Sequence, residues 1–177
     1  MSYKFCLIDD GYMDFLRRKD RRIPYNDYGD DHYKPFFHTL FKKGDLSYVA
    51  CITSPKAKHR HMKTSKDFKK VFIDTNKQRG RFFVGAINLN HMFPVPSKYI
   101  SDVNFEEIDK VRTFKNSREK SKYISLLKHE LESMSKMDLS EAAKELYNYK
   151  YSRPETSLAK RCLDFKELEK EANLYKS

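Results

Sequence analysis

At 177 residues, with 39% hydrophobic content that includes 13 Phe and 12 Tyr, the chain has enough apolar area for one compact core and too little for several. Lys and Arg outnumber Asp and Glu by 36 to 25; the net charge of +11 sets up a positive field for polyanions and makes nucleic acid the first partner to consider. Cys6, Cys51 and Cys162 form no CxxC pair, which excludes a zinc ribbon or dithiol redox motif, and the opening MSYKFCLIDDGY is neither a secretory signal nor a membrane span, so a cytoplasmic protein with no membrane partner is expected.

Tyr3 to Ile8 is short and β-prone and reads as a first strand. Asp9 or Asp10 then caps a helix over Tyr12, Phe15 and Leu16 toward Lys19. Residues 21–35 shift to Asn, Asp, Gly, Pro and Tyr, a loop long enough to imply a task. Phe36 to Phe41 and Leu46 to Ile52 flank Lys42-Lys43-Gly44-Asp45 as an antiparallel hairpin, and residues 53–68 form a second long polar stretch. Val71 to Ile73 and Arg81 to Ile87 bracket residues 76–80 as a second hairpin. Leu89 to Val95 follows, with Pro94 and Pro96 making any strand there an edge strand or one that ends quickly, and Tyr99 to Val103 is a further short strand.

Beyond Asn104 the pattern turns helical. Tyr123, Leu126, Leu127, Leu131 and Met134 mark one face of a helix over 118–134, Asp138 caps another through Tyr149, and after Pro154 a last short helix covers 163–174. The expected fold is α+β: a compact, strongly bent antiparallel sheet, barrel-like, with flanking helices that are mostly C-terminal. The whole chain, 1–177, is expected to be a single domain, sheet-rich over 1–103 and helix-rich over 104–177.

The segment richest in chemistry is Thr53-Ser54-Pro55-Lys56-Ala57-Lys58-His59. Two hydroxyls, a stiffening proline and a lysine at a strand end are suited to holding a phosphate, although an ordinary Ser-Pro loop has the same composition. A basic run continues from it through Lys58, His59, Arg60, His61, Lys63, Lys66, Lys69 and Lys70, enough to neutralise several phosphates. The acid pairs Asp9-Asp10, Asp30-Asp31 and Glu106-Glu107 read as caps or solvated acids, because adjacent side chains diverge, and His59-x-His61 lacks further metal ligands nearby. No metal or cofactor is expected. Tyr147, Tyr149 and Tyr151 are expected to pack a helix end against the sheet rather than stack bases.

Thr53-Ser54-Pro55-Lys56 with His59 at the SPKxxH spacing resembles the active-site segment of the ToxN/AbiQ toxins of type III toxin–antitoxin systems. Tyr12 on the first helix, Lys34 in Tyr33-Lys34-Pro35-Phe36, and Gly85-Ala86-Ile87-Asn88-Leu89-Asn90-His91-Met92-Phe93-Pro94-Val95 are similar in order and distance. His38 departs from the pattern, standing where that family has a small residue. The resemblance implies a catalytic set of Ser54, Thr53, Lys56, Lys34, Tyr12 and one loop tyrosine, for which Tyr25, Tyr28 and Tyr33 compete and Tyr28 is preferred.

It further implies a metal-independent endoribonuclease that cuts single-stranded RNA through the ribose 2′-hydroxyl, leaving a cyclic phosphate and a free 5′-hydroxyl. Its partners would be a repeat-encoded antitoxin RNA, folded as a pseudoknot in a closed protein–RNA assembly, and cellular or phage RNA. The outcome would be growth arrest or abortive phage infection. Two other readings stand beside it: a non-catalytic basic RNA-binding protein, and a magnesium nuclease using the acid pairs.

Overall fold

The computed structural model describes residues 4–24, 36–74 and 80–177. Strands β1 (Phe5–Ile8), β2 (Phe37–Lys43), β3 (Leu46–Thr53), β4 (Phe68–Asp74), β5 (Arg81–Asn88), β6 (Phe93–Pro96) and β7 (Ile100–Asp102) build one antiparallel sheet in the order β4-β5-β3-β2-β1-β7. Helices α1 (Asp10–Lys19), α2 (Ala57–His61), α3 (Ser117–Ser135), α4 (Leu139–Ser152), α5 (Ser157–Arg161) and α6 (Phe165–Leu174) complete the fold. The sheet is bent by irregularities at Thr39/Phe41 and Val71/Phe72. It stays open, with no pairing between its end strands β4 and β7.

β3 organises the sheet. The pair Lys43↔Leu46 leaves Gly44-Asp45 as a two-residue turn, and Gly44 takes the left-handed conformation at φ +60°, which glycine adopts without steric cost. β2 covers one edge of β3. The other edge is divided: Leu46–Val49 pair with β6, while Ile52 and Thr53 pair with Ile87 and Ala86 of β5. A 3₁₀ turn over Leu89–His91 carries the chain between those two partners.

Pro94 lies opposite Tyr48 in β6, and its carbonyl accepts a 2.6 Å hydrogen bond from the Tyr12 hydroxyl. Amide and carbonyl of one strand residue point the same way, so the N–H that Pro94 lacks belongs to the side facing away from β3. The edge position expected from the two prolines is therefore what the sheet uses.

One contiguous core runs from Phe5 through Phe37, Val49, Phe93 and Leu127 to Ala172. The apolar face of α3 is turned inward as its spacing predicts, with Leu127 and Met134 buried and Tyr123 packed 6.4 Å from Phe36. Tyr147 likewise packs against Tyr48 and Phe165. His38 is accommodated in a buried site opposite the small Ala50, and its Nδ1 lies 3.2 Å from the Lys4 carbonyl oxygen.

Three local expectations are corrected. The polar stretch 53–68 contains the short helix α2. Asp138 precedes α4 in the left-handed region at φ 47° and makes no side-chain cap, so packing of Leu139, Ala143 and Leu146 holds that helix. α5, started by the Thr156 side chain accepting from the Ala159 amide at 3.3 Å, was not anticipated after Pro154.

Candidate active site and nucleic-acid interface

β3 stops where its sequence stops it. Thr53 makes the last pair, with Ala86, and donates its hydroxyl to the Ala86 carbonyl at 3.3 Å. Pro55 has no amide to extend the ladder and biases Ser54 toward extended backbone. Ser54, Pro55 and Lys56 are exposed as a result, just past a buried strand.

His59 fixes this turn from beneath. It is 3% exposed, packs 5.4 Å from the Phe68 ring, and its Nδ1 accepts a 3.2 Å hydrogen bond from the Lys56 amide. Burial, and then the nearby charges of Lys58, Lys56 and Lys70, hold its pKa below the ordinary histidine value. The imidazole is therefore neutral near pH 7, as an accepting Nδ1 requires. His59 thus positions Lys56 and presents no surface of its own for a phosphate.

The rest of the basic run faces outward. Lys58, Arg60, His61, Lys63 and Lys66 are exposed, and Lys69 and Lys70 are half-buried on β4. Lys70 Nζ donates to the Arg60 carbonyl at 3.1 Å, and Lys66 Nζ stands 5.8 Å from the Tyr149 ring centroid. Asp67, the acid inside the run, is buried and turned away. It takes a bidentate pair from Arg161 at 2.6 and 2.9 Å and a hydrogen bond from Ser65 at 3.0 Å. Burial pushes its carboxyl up, but Arg161 and Ser65 outweigh that and hold it below the usual range. Among the described residues no carboxylate pairs with Lys56, Lys58, Arg60, Lys63 or Lys66.

Tyr12 is brought elsewhere. Fully buried, it stacks on Tyr99 at 5.6 Å with its hydroxyl on Pro94. That point lies opposite Tyr48, six residues or about 20 Å of extended strand from Ser54. Lys34 and the competing Tyr25, Tyr28 and Tyr33 lie outside the described residues. Asp9 caps α1 by accepting from the Tyr12 amide at 2.9 Å, and Glu107 pairs with Lys110 at 2.7 Å. No cluster of three or more His, Cys, Asp or Glu side chains suited to a metal forms among the described residues. Burial pushes the thiols of Cys6 and Cys51 up to about 12 and that of Cys162 to about 11, which leaves them protonated and inert. No helix among the described residues is long and apolar enough to cross a membrane.

One feature was not singled out from the sequence, and a second, Gly85 of the Gly85-to-Val95 segment, carried no packing role there. Arg17, Arg18 and Arg21, with Asp14, line a concavity of about 610 Å³ at the end of α1; the run Arg17-Arg18-Lys19 was its signal. Gly85 is required by contact: a Cβ there would stand 2.7 Å from Ile52 Cδ1 and 3.3 Å from the Thr53 carbonyl oxygen. The strand end that carries Ser54 is thus backed closely by β5.

An open antiparallel sheet under mostly C-terminal helices, bearing beside an exposed hydroxyl a cation band that meets no carboxylate among the described residues, defines a basic α+β protein built to face a polyanion. Residues 4–173 match the model of Toxin ToxN, type III toxin–antitoxin system, and the chain belongs to that family. It is 29% identical over 104 residues to the Endoribonuclease ToxN of Bacillus thuringiensis subsp. kurstaki, a match covering 59% of this chain and about half (49%) of that relative's length. Among solved structures, its fold is similar to AbiQ, a lactococcal anti-phage endoribonuclease of the type III toxin–antitoxin system, with a TM-score of 0.76 at 19% identity over 99% of this chain and 98% of that one. It is also similar to a type III system whose toxin is selectively inhibited by a non-coding RNA pseudoknot, with a TM-score of 0.74 at 19% identity over 98% and 97%. A bacterial antiviral system regulated by a processed non-coding RNA gives a TM-score of 0.75 at 18% identity over 98% and 99%.

Proposed function

We propose that this chain, a single domain, is a metal-independent endoribonuclease that cuts single-stranded RNA at the Ser54 turn. The observation that carries the reading is an exposed hydroxyl and lysine, Ser54 and Lys56, at the head of a cation band that meets no carboxylate among the described residues. RNA supplies its own nucleophile. The ribose 2′-oxygen bonds to the adjacent phosphorus as the bond to the 5′-oxygen breaks. The 2′-proton passes to a base and the departing 5′-oxygen receives a proton, so the products are a 2′,3′-cyclic phosphate and a 5′-hydroxyl. The protein need only align the backbone, stabilise the added negative charge and move those protons.

In this scheme Lys56, placed by His59, and Lys34 bind the scissile phosphate, Ser54 and Thr53 orient it, and Tyr28 completes the wall. Tyr12 contributes by anchoring β6 rather than by touching RNA. Lys58, Arg60, His61, Lys63, Lys66, Lys69 and Lys70 carry the flanking strand. Family membership supports a cytoplasmic toxin restrained by, and processing, a pseudoknot-forming antitoxin RNA in a closed protein–RNA assembly. Cutting cellular or phage RNA would give growth arrest or abortive infection.

Purified protein is incubated with mixed RNA in EDTA, wild type beside Ser54→Ala. Cleavage by wild type alone, with cyclic-phosphate ends, is expected. A folded wild type that binds RNA without cutting it would promote the binding-module reading, and activity restored by magnesium would overturn metal independence.

A further inference from the structure

Thr53, Ala86 and Lys70 form one row across β3, β5 and β4. Residues directly opposite in antiparallel strands share a face, and two strand spacings put Lys70 about 10 Å from Thr53. Beside it on that face the Lys70 ammonium lies 5.1 Å from the Phe83 ring centroid, and Phe72 packs 5.6 Å from Phe83. Here the sheet and the C-terminal turn of α3 enclose a cleft of about 180 Å³. Lys70, Phe72, Asp74 and Arg81 line it from the sheet, Ser133 from α3, and Lys136 and Met137 from the residues just after that helix. That is smaller than a pocket for a drug-sized ligand and takes one heterocycle.

The lining is unusual for a structural crevice. Arg81 stands 4.6 Å over the Phe72 ring, making a cation–aromatic stack in the wall of the cleft. Among the described residues Asp74 is held only by Arg81 at 3.4 Å, with both side chains largely exposed, so the pair is loose enough for a ligand to replace. Three cations thus surround a stacking wall with one carboxylate at its rim.

We infer that this cleft holds one unstacked guanine of the RNA strand whose scissile phosphate lies at Ser54, with Asp74 as the residue that selects it. The inference rests on the RNA-cleaving reading above. A phosphate alone would not call for Phe72 or for a carboxylate. A nucleobase presents a face to Phe72, as in sequence-tolerant stacking platforms. Asp74 accepts and cannot donate, and guanine carries two adjacent N–H donors on its pairing edge to satisfy both carboxylate oxygens. Its O6 and N7 acceptors suit Lys70, Arg81 or Lys136. Adenine, cytosine and uracil each set an acceptor beside their donor and meet the carboxylate with repulsion.

The test uses the full chain and single-stranded RNAs differing at one base within two nucleotides of the cut. Wild type, Asp74→Asn and Phe72→Leu are compared by kcat/KM, with thermal unfolding recorded for each. Wild type is expected to favour guanine at one position by tenfold or more. Asp74→Asn should reduce that preference below threefold, and Phe72→Leu should raise KM for every RNA. A folded Asp74→Asn variant with the wild-type preference, or a wild type indifferent to guanine, overturns the assignment. If wild type cuts nothing, the same RNAs with a 2′-deoxy sugar at the central position are scored by binding. Guanine discrimination lost in Asp74→Asn then keeps the cleft and removes the catalytic reading, while no discrimination removes the cleft.

Discussion

Where α6 closes over the β2–β3 hairpin, charge is matched; where β3 runs out at Ser54, it is not. Glu169 accepts from Tyr48 at 2.6 Å, from Tyr147 at 2.8 Å and from Lys43 at 2.8 Å, and Lys43 also lies 4.8 Å over the Tyr147 ring. Burial alone would raise the Glu169 carboxyl, but its three donors outweigh that and hold it below the ordinary value. By contrast, Lys56, Lys58 and Lys63 project from a five-residue helix and its flanks with no acid among the described residues to meet them. The first arrangement ties helices to sheet and the second leaves charge for a partner. Stability and binding should therefore separate cleanly between them.

The largest stability effect is expected at the matched region. Glu169→Ala strands two tyrosine hydroxyls and a lysine, and losses of this kind cost about 1–3 kcal/mol for each buried donor. A total of about 3 kcal/mol should appear in chemical unfolding, with RNA binding per folded molecule preserved. Because the carboxyl is depressed, its contribution is present above the unfolded-state pKa and disappears as pH falls through the folded value. A Glu169→Ala variant as stable as wild type at pH 7 would mean that the α6 closure rests on apolar packing alone.

Glu130 marks an intermediate case, an acid on the buried face of α3. Burial pushes it up to about 7 from an ordinary 4.5. A raised acid costs nothing below the unfolded pKa, and its penalty grows from about pH 4.5 to 7 and is constant above. The full penalty is roughly 3 kcal/mol at about 1.4 kcal/mol per unit, reduced by whatever the neighbours absorb. Glu130→Gln should flatten the fall in stability between pH 5 and 7 and leave RNA cleavage intact. An unchanged slope would show that the carboxyl finds water or a partner once ionised.

These contrasts separate what the sequence discloses from what it cannot. A turn within residues 42–45, the edge placement of Pro94, a cap from Asp9 or Asp10 and the face of α3 all follow from local chemistry and were readable, whereas the run of β2 to Lys43 and the choice of Asp9 came with the structure. The motif Thr53-Ser54-Pro55-Lys56 was readable too, because a proline must end the strand and expose the hydroxyl. The sequence did not show His59 turned inward beneath Lys56. One residue in a basic run looks like its neighbours until Phe68 packs against it. Nor did it show Tyr12 sealed by Tyr99, or Asp67 removed from the run by Arg161, a residue 94 positions away. Such long-range pairings depend on which strands become neighbours, and the divided edge of β3 decides that.

Gly85→Ala probes the junction of the two regions with a smaller effect. Its Cβ would press on the flexible end of Ile52, which can move, and on the Thr53 carbonyl, which cannot move without shifting the strand end. A stability loss of about 1–2 kcal/mol is expected from overpacking. Cleavage should fall by more than the unfolded fraction explains, because Ser54 follows Thr53 directly. A fall in activity matching the unfolded fraction would show that the strand end does not hold the Ser54 turn.

The smallest stability effect belongs to the unmatched lysines, and that is their diagnostic value. Replacing Lys58 and Lys63 together with Gln removes no hydrogen bond or ion pair formed within the described residues, so unfolding free energy should move by less than about 0.5 kcal/mol. Binding should respond differently. Each phosphate contact on a single strand contributes about 0.7 to the slope of log affinity against log salt, so losing two contacts should flatten that slope by about 1.4. The measurement is RNA binding by Ser54→Ala protein across a salt series, with and without the two replacements. Parallel lines would place the RNA away from α2 and move attention to the arginines at the end of α1, whereas a flatter line with unchanged stability assigns the exposed cations of α2 and its flank to the RNA backbone.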